Sequence, residues 1–293
     1  MRVTESRLID LAQSGMAKAN TELGDASTTM SSGMRVEKPS QDPASWADGM
    51  RVHVRQIISN GRGEAIGRAQ DSLGQTDGAL DTIGTTLSRA RELAVQMANG
   101  SLSSDERTAA ANEVNQLRDT IISAADARGS DGQYVLAGSK SDLAPFAAAG
   151  SYAGDALGRS IETSENGTSS VTVSGNVLTA VAGVDMLGTL ASLSTALAAN
   201  DVPGVQTALG SLGTGIAQVA NARTQVGTRL STLASADASR KSFELNLATI
   251  HTRDVEADPI AAASNLARAK QALDAAQTVA SQLVQMTKPP QNL

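Results

Sequence analysis

Cysteine is absent from this 293-residue chain, which excludes disulfides, thiolate metal ligands and a cysteine nucleophile. Aromatic residues are only 2%, with Trp46, Tyr134, Tyr152, Phe146 and Phe243 as the whole set. A thick globular core draws much of its burial from such rings, so thin aliphatic seams are expected instead. No run approaches the ~18 consecutive apolar residues of a membrane span, and no membrane partner is expected. The net charge is −6 and no basic run is present, so no nucleic-acid partner is expected either. His53 and His251 are the only histidines; neither sits at a metal-ligand spacing, and both read as helix-surface residues. Neither a Gly-x-Ser-x-Gly elbow nor a phosphate-cradling loop occurs, and Gly129–Gly132 and Gly210–Gly215 read as turns and helix ends. No catalytic residue, cofactor or metal site is expected.

Alanine is abundant, with 49 residues, and it favours helix while letting helices approach closely. The two ends of the chain carry the clearest pattern. Ile9, Ala12, Met16, Ala19, Leu23, Ala26 and Met30 recur at alternating spacings of three and four. Ala262, Leu266, Ala269, Leu273, Ala276, Ala280 and Leu283 do the same near the C-terminus. A seam repeating every 3.5 residues is narrow and needs a partner helix along its length. The two terminal seams are therefore expected to meet each other or other copies, as in a polymerising subunit.

Between them the sequence divides by period and punctuation. Residues 1–43 hold the first seam and a loop with Gly33, Pro39 and Pro43, and a long helix is expected from about Ala44 to Asn99. Its stripe runs Ile66, Ala69, Leu73, Thr76, Leu80, Ile83, Leu87, Ala90, Ala94 and Met97. Ser103-x-x-Glu106 is a capping box for a further helix, completing a rod segment over 44–128. Residues 129–204 form an inserted head; Gln133–Ala137 and Ser169–Val173 read as short strands, with Asn166-Gly167 as a turn. Asn99-Gly100-Ser101 and Asn166-Gly167-Thr168 match glycosylation triplets, but Asn-Gly is first a turn signal. No Lys or Arg occurs between Arg159 and Arg223, so most of the insert is electrostatically distinct. A short helix is expected from Asp185 to Ala199 and a long one over Val205–Ile250, within a returning segment 205–256. Asp258-Pro259 opens the terminal helix of segment 257–293. The expected fold is mainly α: an elongated helical rod with terminal coiled-coil segments and a small β-rich inserted head.

Three stretches carry a family resemblance. Met1-Arg2-Val3-Thr4, then Met30–Val36, then Lys38-Pro39-Ser40-Gln41-Asp42-Pro43-Ala44 resemble the N-terminal region of the flagellin superfamily. The Lys-Pro-Ser-x-Asp-Pro form is similar to that of flagellar hook–filament junction proteins, the flagellin-like hook-associated proteins. Gly132–Lys140, containing Tyr134 and Gly138 and followed by Pro145-Phe146, resembles the Gly-x-Tyr-Leu-Phe-x-Gly-x-Lys…Pro-Phe segment of the same group. Asn221–Leu230, with Arg223 and Arg229, resembles its Arg-x-x-Val-Gly-x-Arg-Leu helix. The chain departs from the family in its Lys288–Leu293 tail and its short insert, which implies a small outer head.

The resemblance implies a structural subunit of the bacterial flagellum, without a cofactor, exported unfolded by the type III apparatus. The first 20 residues agree with export lacking a cleaved signal peptide, because Glu5, Arg7, Asp10 and Lys18 interrupt any apolar run. Implied partners are a first junction protein on the hook side, flagellin on the other, copies of itself in a ring layer, and an export chaperone on the C-terminal segment. The implied location is the extracellular flagellum at the hook–filament junction. Assembly would run through Ile9, Met16, Leu23, Met30, Leu266, Leu273, Ala280 and Leu283. Lys38, Pro39, Asp42, Pro43, Arg223 and Arg229 would orient subunits, on the family motif alone. Two rivals remain: filament flagellin, and a cytoplasmic signalling hairpin of the chemoreceptor kind. The hairpin requires continuous heptads folding back at a tight tip, whereas residues 133–184 interrupt them.

Overall fold

The computed structural model describes residues 2–100, 102–146 and 150–286. Six helices dominate: α1 (Arg2–Ser32), α2 (Pro43–Met97), α3 (Ser104–Ala125), α4 (Met186–Ala198), α5 (Val202–Val255) and α6 (Pro259–Met286). Strands β1 (Ser160–Ser164) and β2 (Gly167–Ser170) form an antiparallel hairpin. The chain divides into two compact units. One comprises Met1–Ile58 with Phe243–Leu293; the other is Ser59–Ser242. The Lys288–Leu293 tail and Ser101 of the first Asn-Gly triplet lie outside the described residues.

The Ser59–Ser242 unit holds the principal core. On α2, Leu73, Leu80, Ile83, Leu87, Ala90 and Ala94 are fully enclosed, as their spacing predicts. Val114 and Ile121 of α3, Leu190 and Leu193 of α4, and Val219, Val226 and Leu233 of α5 complete the cluster. Thr76 belongs to the buried stripe because its hydroxyl donates to the Ser72 carbonyl at 2.9 Å, leaving no unpaired donor. The expected capping box at α3 forms: Ser103 Oγ accepts from the Glu106 amide, and the Glu106 carboxylate accepts from the Ser103 amide. Asp185 caps α4 by accepting from the Gly188 amide at 3.0 Å.

The insert contains less strand than its sequence predicts. Gln133–Ala137 is no strand. The Tyr134 amide donates to the Ser141 carbonyl and the Val135 amide to the Ala127 carbonyl, so the segment is tied off locally instead of entering a ladder. Its apolar Val135, Leu136 and Ala137 are buried against the helices, which explains the strand-like composition without strand pairing. The hairpin forms around Glu165-Asn166, but its ladder ends at Ser170 and not at Val173. Val171 and Val173 instead turn into the core, and Arg229 donates to the Thr172 carbonyl. The returning helix α5 is also longer than the expected 205–250, since Val202 and Pro203 fit a first helical turn.

In the other unit α1 packs on α6, so the two terminal seams meet each other. Gly33, at φ +71°, ends α1 in the left-handed region, with its amide bonded to the Thr29 carbonyl at 3.0 Å. Asp258 opens α6, accepting from the Ile260 amide at 2.9 Å.

The contrast between the two cores gives a mutational expectation. Leu80→Ala should cost about 2–5 kcal/mol in urea unfolding, because it empties a fully enclosed site. Leu11→Ala, at a residue 70% exposed, should stay within about 0.5 kcal/mol of the parent. Equal effects would contradict this placement of the core.

Candidate assembly interface

The α1–α6 seam is narrow in the structure as in the sequence. Ile9, Ala12, Met16, Leu23 and Ala26 are half-buried and Ala19 is buried. Opposite them Ala262 and Ala269 are buried, while Leu266, Leu273, Ala276, Ala280 and Leu283 are half-buried. Met30 is the exception. It is 43% exposed, and Thr29 takes the half-buried place at that end. The last turn of α1 runs into Gly33, whose carbonyl accepts from Ala257, and Arg35 bonds Val255, so the loop and not the heptad places this end of the helix. Outside the seam Leu8, Leu11, Val279 and Val284 face outward and unburied. Each helix thus uses one thin stripe and leaves apolar side chains beside it.

The loop from Gly33 to Asp42 ties this helix pair to the turn between α5 and α6. The Arg35 amide donates to the Val255 carbonyl at 2.8 Å, and the Ala257 amide donates back to the Gly33 carbonyl at 2.8 Å. The Arg35 guanidinium reaches the Asp254 carbonyl at 2.6 Å, Ser45 Oγ at 3.0 Å and the Asp42 carboxylate at 3.3 Å. Asp42 in turn caps α2. Its carboxylate accepts from the Ser45 amide at 3.1 Å and the Ser45 hydroxyl at 2.6 Å, with Pro43 in the first turn where no amide is needed. The Ser45 hydroxyl, its amide and Arg35 hold the Asp42 carboxyl below its ordinary value. Gln41 accepts from the amides of Glu37 and Lys38 at 2.7 and 3.1 Å, fixing the turn that carries the exposed Lys38 and Pro39. Val36 and Val255 are buried beneath the clamp, and a Cβ on Gly49 would lie 2.7 Å from Val255 Cγ2. The Lys-Pro-Ser-x-Asp-Pro stretch is therefore a folded clamp, with Arg35 as its hub.

The other motif residues lie in the Ser59–Ser242 unit and are engaged within it. Tyr134 is half-buried, with the Arg128 guanidinium 4.3 Å from its ring centroid and Arg128 Nη2 donating to its hydroxyl at 2.6 Å. Gly138 sits at φ +71°, and a side chain there would collide with Asp155. Asp155 accepts from the Ser139 hydroxyl at 2.5 Å and amide at 2.8 Å, contacts that lower its carboxyl pKa. Tyr152 Oη donates within hydrogen-bond distance of the Leu136 and Asp155 carbonyls, at 3.0 and 2.9 Å, and burial raises its pKa. Arg223 grips both Asp77 oxygens at 3.0 and 3.1 Å and Asp81 at 2.5 Å, joining α5 to α2 and raising the guanidinium pKa. Arg229 donates to Thr172. Sequence reasoning named Arg223, Arg229 and Tyr134 without these partners. It missed Arg35, Ser45, Tyr152 and Asp155, whose roles come from residues distant in the chain.

His251 pairs with Glu256 at 3.2 Å in the clamp unit. Among the described residues no group of three or more His, Asp or Glu is arranged to hold a metal, and no helix is long and apolar enough to cross a membrane.

The clamp makes a pH expectation with a definite sign. Asp42 and Asp254 both have carboxyl pKa values lowered in the folded chain, Asp254 chiefly by Arg253. Such groups stabilise above their unfolded pKa, near 3.8, and the contribution is lost as pH falls through the lower folded value. The melting-temperature gap between the parent and Asp42→Asn should be widest near neutrality and narrow steadily on acidification. A gap that widens in acid would refute this reading of the clamp.

Comparison with known proteins places these features. The bacterial flagellin N-terminal helical region matches residues 9–141. Flagellar hook-associated protein 3 of Salmonella typhimurium is 28% identical over 155 residues, covering 53% of this chain and 49% of that protein. The chain thus spans about half the length of the curated relatives it matches. Among solved structures, a putative flagellar hook-associated protein from Vibrio parahaemolyticus is similar in fold, with a TM-score of 0.69 and 20% identity over 74% of this chain and 100% of its own. Xanthomonas campestris FlgL follows, with a TM-score of 0.61 and 20% identity over 66% of this chain and 97% of its own. Residues 9–141 of the chain are thus similar to the bacterial flagellin N-terminal helical region, and the fold is similar to that of solved flagellar hook-associated proteins.

Proposed function

We propose that this protein is a structural subunit of the bacterial flagellum that joins the hook, through a first junction protein, to the flagellin filament. The observation carrying this reading is the paired α1–α6 seam, half-buried along its length and lined by exposed Leu8, Leu11, Val279 and Val284. Two helices held by one thin stripe gain little from each other and more from neighbours that cover their outer faces. Folding of the terminal pair is therefore coupled to polymerisation. Flagellin, the first junction protein and copies of itself are the partners, with export by the type III route and a chaperone on the C-terminal segment. The protein acts extracellularly and by assembly, not by catalysis.

Filament flagellin is the second reading, because the matched N-terminal region carries the flagellin description. Growth separates the two. A filament subunit presents matching upper and lower surfaces to copies of itself and polymerises without limit, whereas a junction subunit meets different proteins above and below. Concentrated purified protein should form short oligomers at most; micrometre-long homopolymers in the electron microscope would favour flagellin.

A seam variant tests assembly itself. Leu273→Asp sets an unpaired charge in the half-buried stripe. Cells carrying it should release flagellin into the medium instead of retaining filaments, while the unfolding transition of the Ser59–Ser242 core stays unchanged. Normal filaments would contradict the role given to the seam.

A further inference from the structure

Four apolar side chains over Met50–Ile58 of α2 stay about half exposed among the described residues. Met50 is 44% exposed, Val54 50%, Ile57 58% and Ile58 47%. At about 100° per residue they occupy a sector roughly 100° wide. The opposite face is the one the fold uses, with Val52 buried and Gly49 against Val255. Isolated exposed hydrophobics are ordinary; a continuous stripe of four on a charged helix marks a contact surface. Arg51 and Arg55 run along one edge. Arg51 pairs with Asp48, and Arg55 has no carboxylate partner among the described residues. No Asp or Glu lies between Asp48 and Glu64.

The complement of this surface sits at the α5–α6 turn of the same unit. Ile260 is 77% exposed and is flanked by the exposed carboxylates of Glu256 and Asp258. We infer that the α2 stripe receives Ile260 from a second copy of this chain, with Arg51 and Arg55 facing that copy's Glu256 and Asp258. A foreign partner would have to reproduce this pairing of apolar tip and acidic rim, which the chain already carries. Because two different patches meet, the contact is heterologous and propagates around a ring or along a helix instead of closing a twofold dimer. One isoleucine and its rim cover far less than the ~1,000 Å² of a stable interface, so the contact acts only when repeated through many copies. The inference rests on the proposal that copies of the chain assemble side by side.

The lack of native cysteine makes a clean cross-linking test possible. Ile57→Cys and Ile260→Cys proteins are prepared separately, mixed at high concentration and oxidised mildly. The mixture should give a covalent dimer containing one chain of each kind, and neither protein alone should give one at comparable yield. Arg55→Glu, introduced into the Ile57→Cys protein, should lower that yield at least tenfold without changing its melting temperature. Homodimers of Ile57→Cys alone would show a symmetric use of the stripe and overturn the inference. So would an absent cross-link in the mixture. The same chain is scored for incorporation into flagella. Incorporation without the cross-link sinks this contact and leaves the proposed function standing, whereas loss of incorporation by the parent chain would sink both.

Discussion

Everything proposed for this protein depends on how little two helices can bury when they touch along a 3.5-residue seam. Among the described side chains of the α1–α6 pair only Ala19, Ala262 and Ala269 are buried, and the larger Leu23, Leu266, Leu273 and Leu283 are half-covered. Alanine brings helix axes close but contributes little apolar area. The Ser59–Ser242 unit is built differently, with Leu73, Leu80, Ile83 and Leu87 of one helix fully enclosed in a cluster shared with α3, α4, α5 and the insert. The Ser59–Ser242 unit thus carries an enclosed core of its own, while the α1–α6 pair leaves its larger apolar side chains half-covered.

The Arg35 clamp holds the end of that pair where α1 exits and α6 begins. One cation satisfies the Asp254 carbonyl at the end of α5, the Ser45 hydroxyl and the Asp42 carboxylate that caps α2, while its backbone bonds Val255. The exit of α1, the entry of α2 and the turn into α6 are fixed together, so whichever helix orders first supports the next. Such a device suits a chain that folds upon delivery to its place of assembly. The buried Val36 and the restriction at Gly49 give the clamp a hydrophobic floor.

Much of this was legible in the sequence because period and punctuation act locally. The stripe from Ile66 to Met97, the Ser103–Glu106 box, the Asp258 cap and the narrow terminal seams follow from spacing and capping chemistry alone. Two kinds of feature were not legible. Val135 has strand-like surroundings, yet it is buried in the core with its amide tied to the Ala127 carbonyl, and Val171 adds one bond, to Arg159, before the chain turns inward, a tertiary override of local preference. Met30 illustrates the second kind: a heptad does not reveal that the loop bonds of Gly33 and Arg35, to residues far along the chain, set the last turn of α1. Among candidate site residues, Arg223 was visible as a motif, but its grip on Asp77 and Asp81 joins positions far apart in the chain and leaves no local trace. Tyr152 and Asp155 had no signal at all for the same reason.

The most direct test of the central claim is amide exchange across 2–32 and 259–286, measured on dilute free protein and again on the protein within isolated hook–filament complexes. Coupled folding predicts rapid exchange in the free chain, with 66–233 already protected, and strong protection of both terminal helices after assembly. Equal protection of the terminal helices in the two states would show that the seam is stable alone, and would contradict the account.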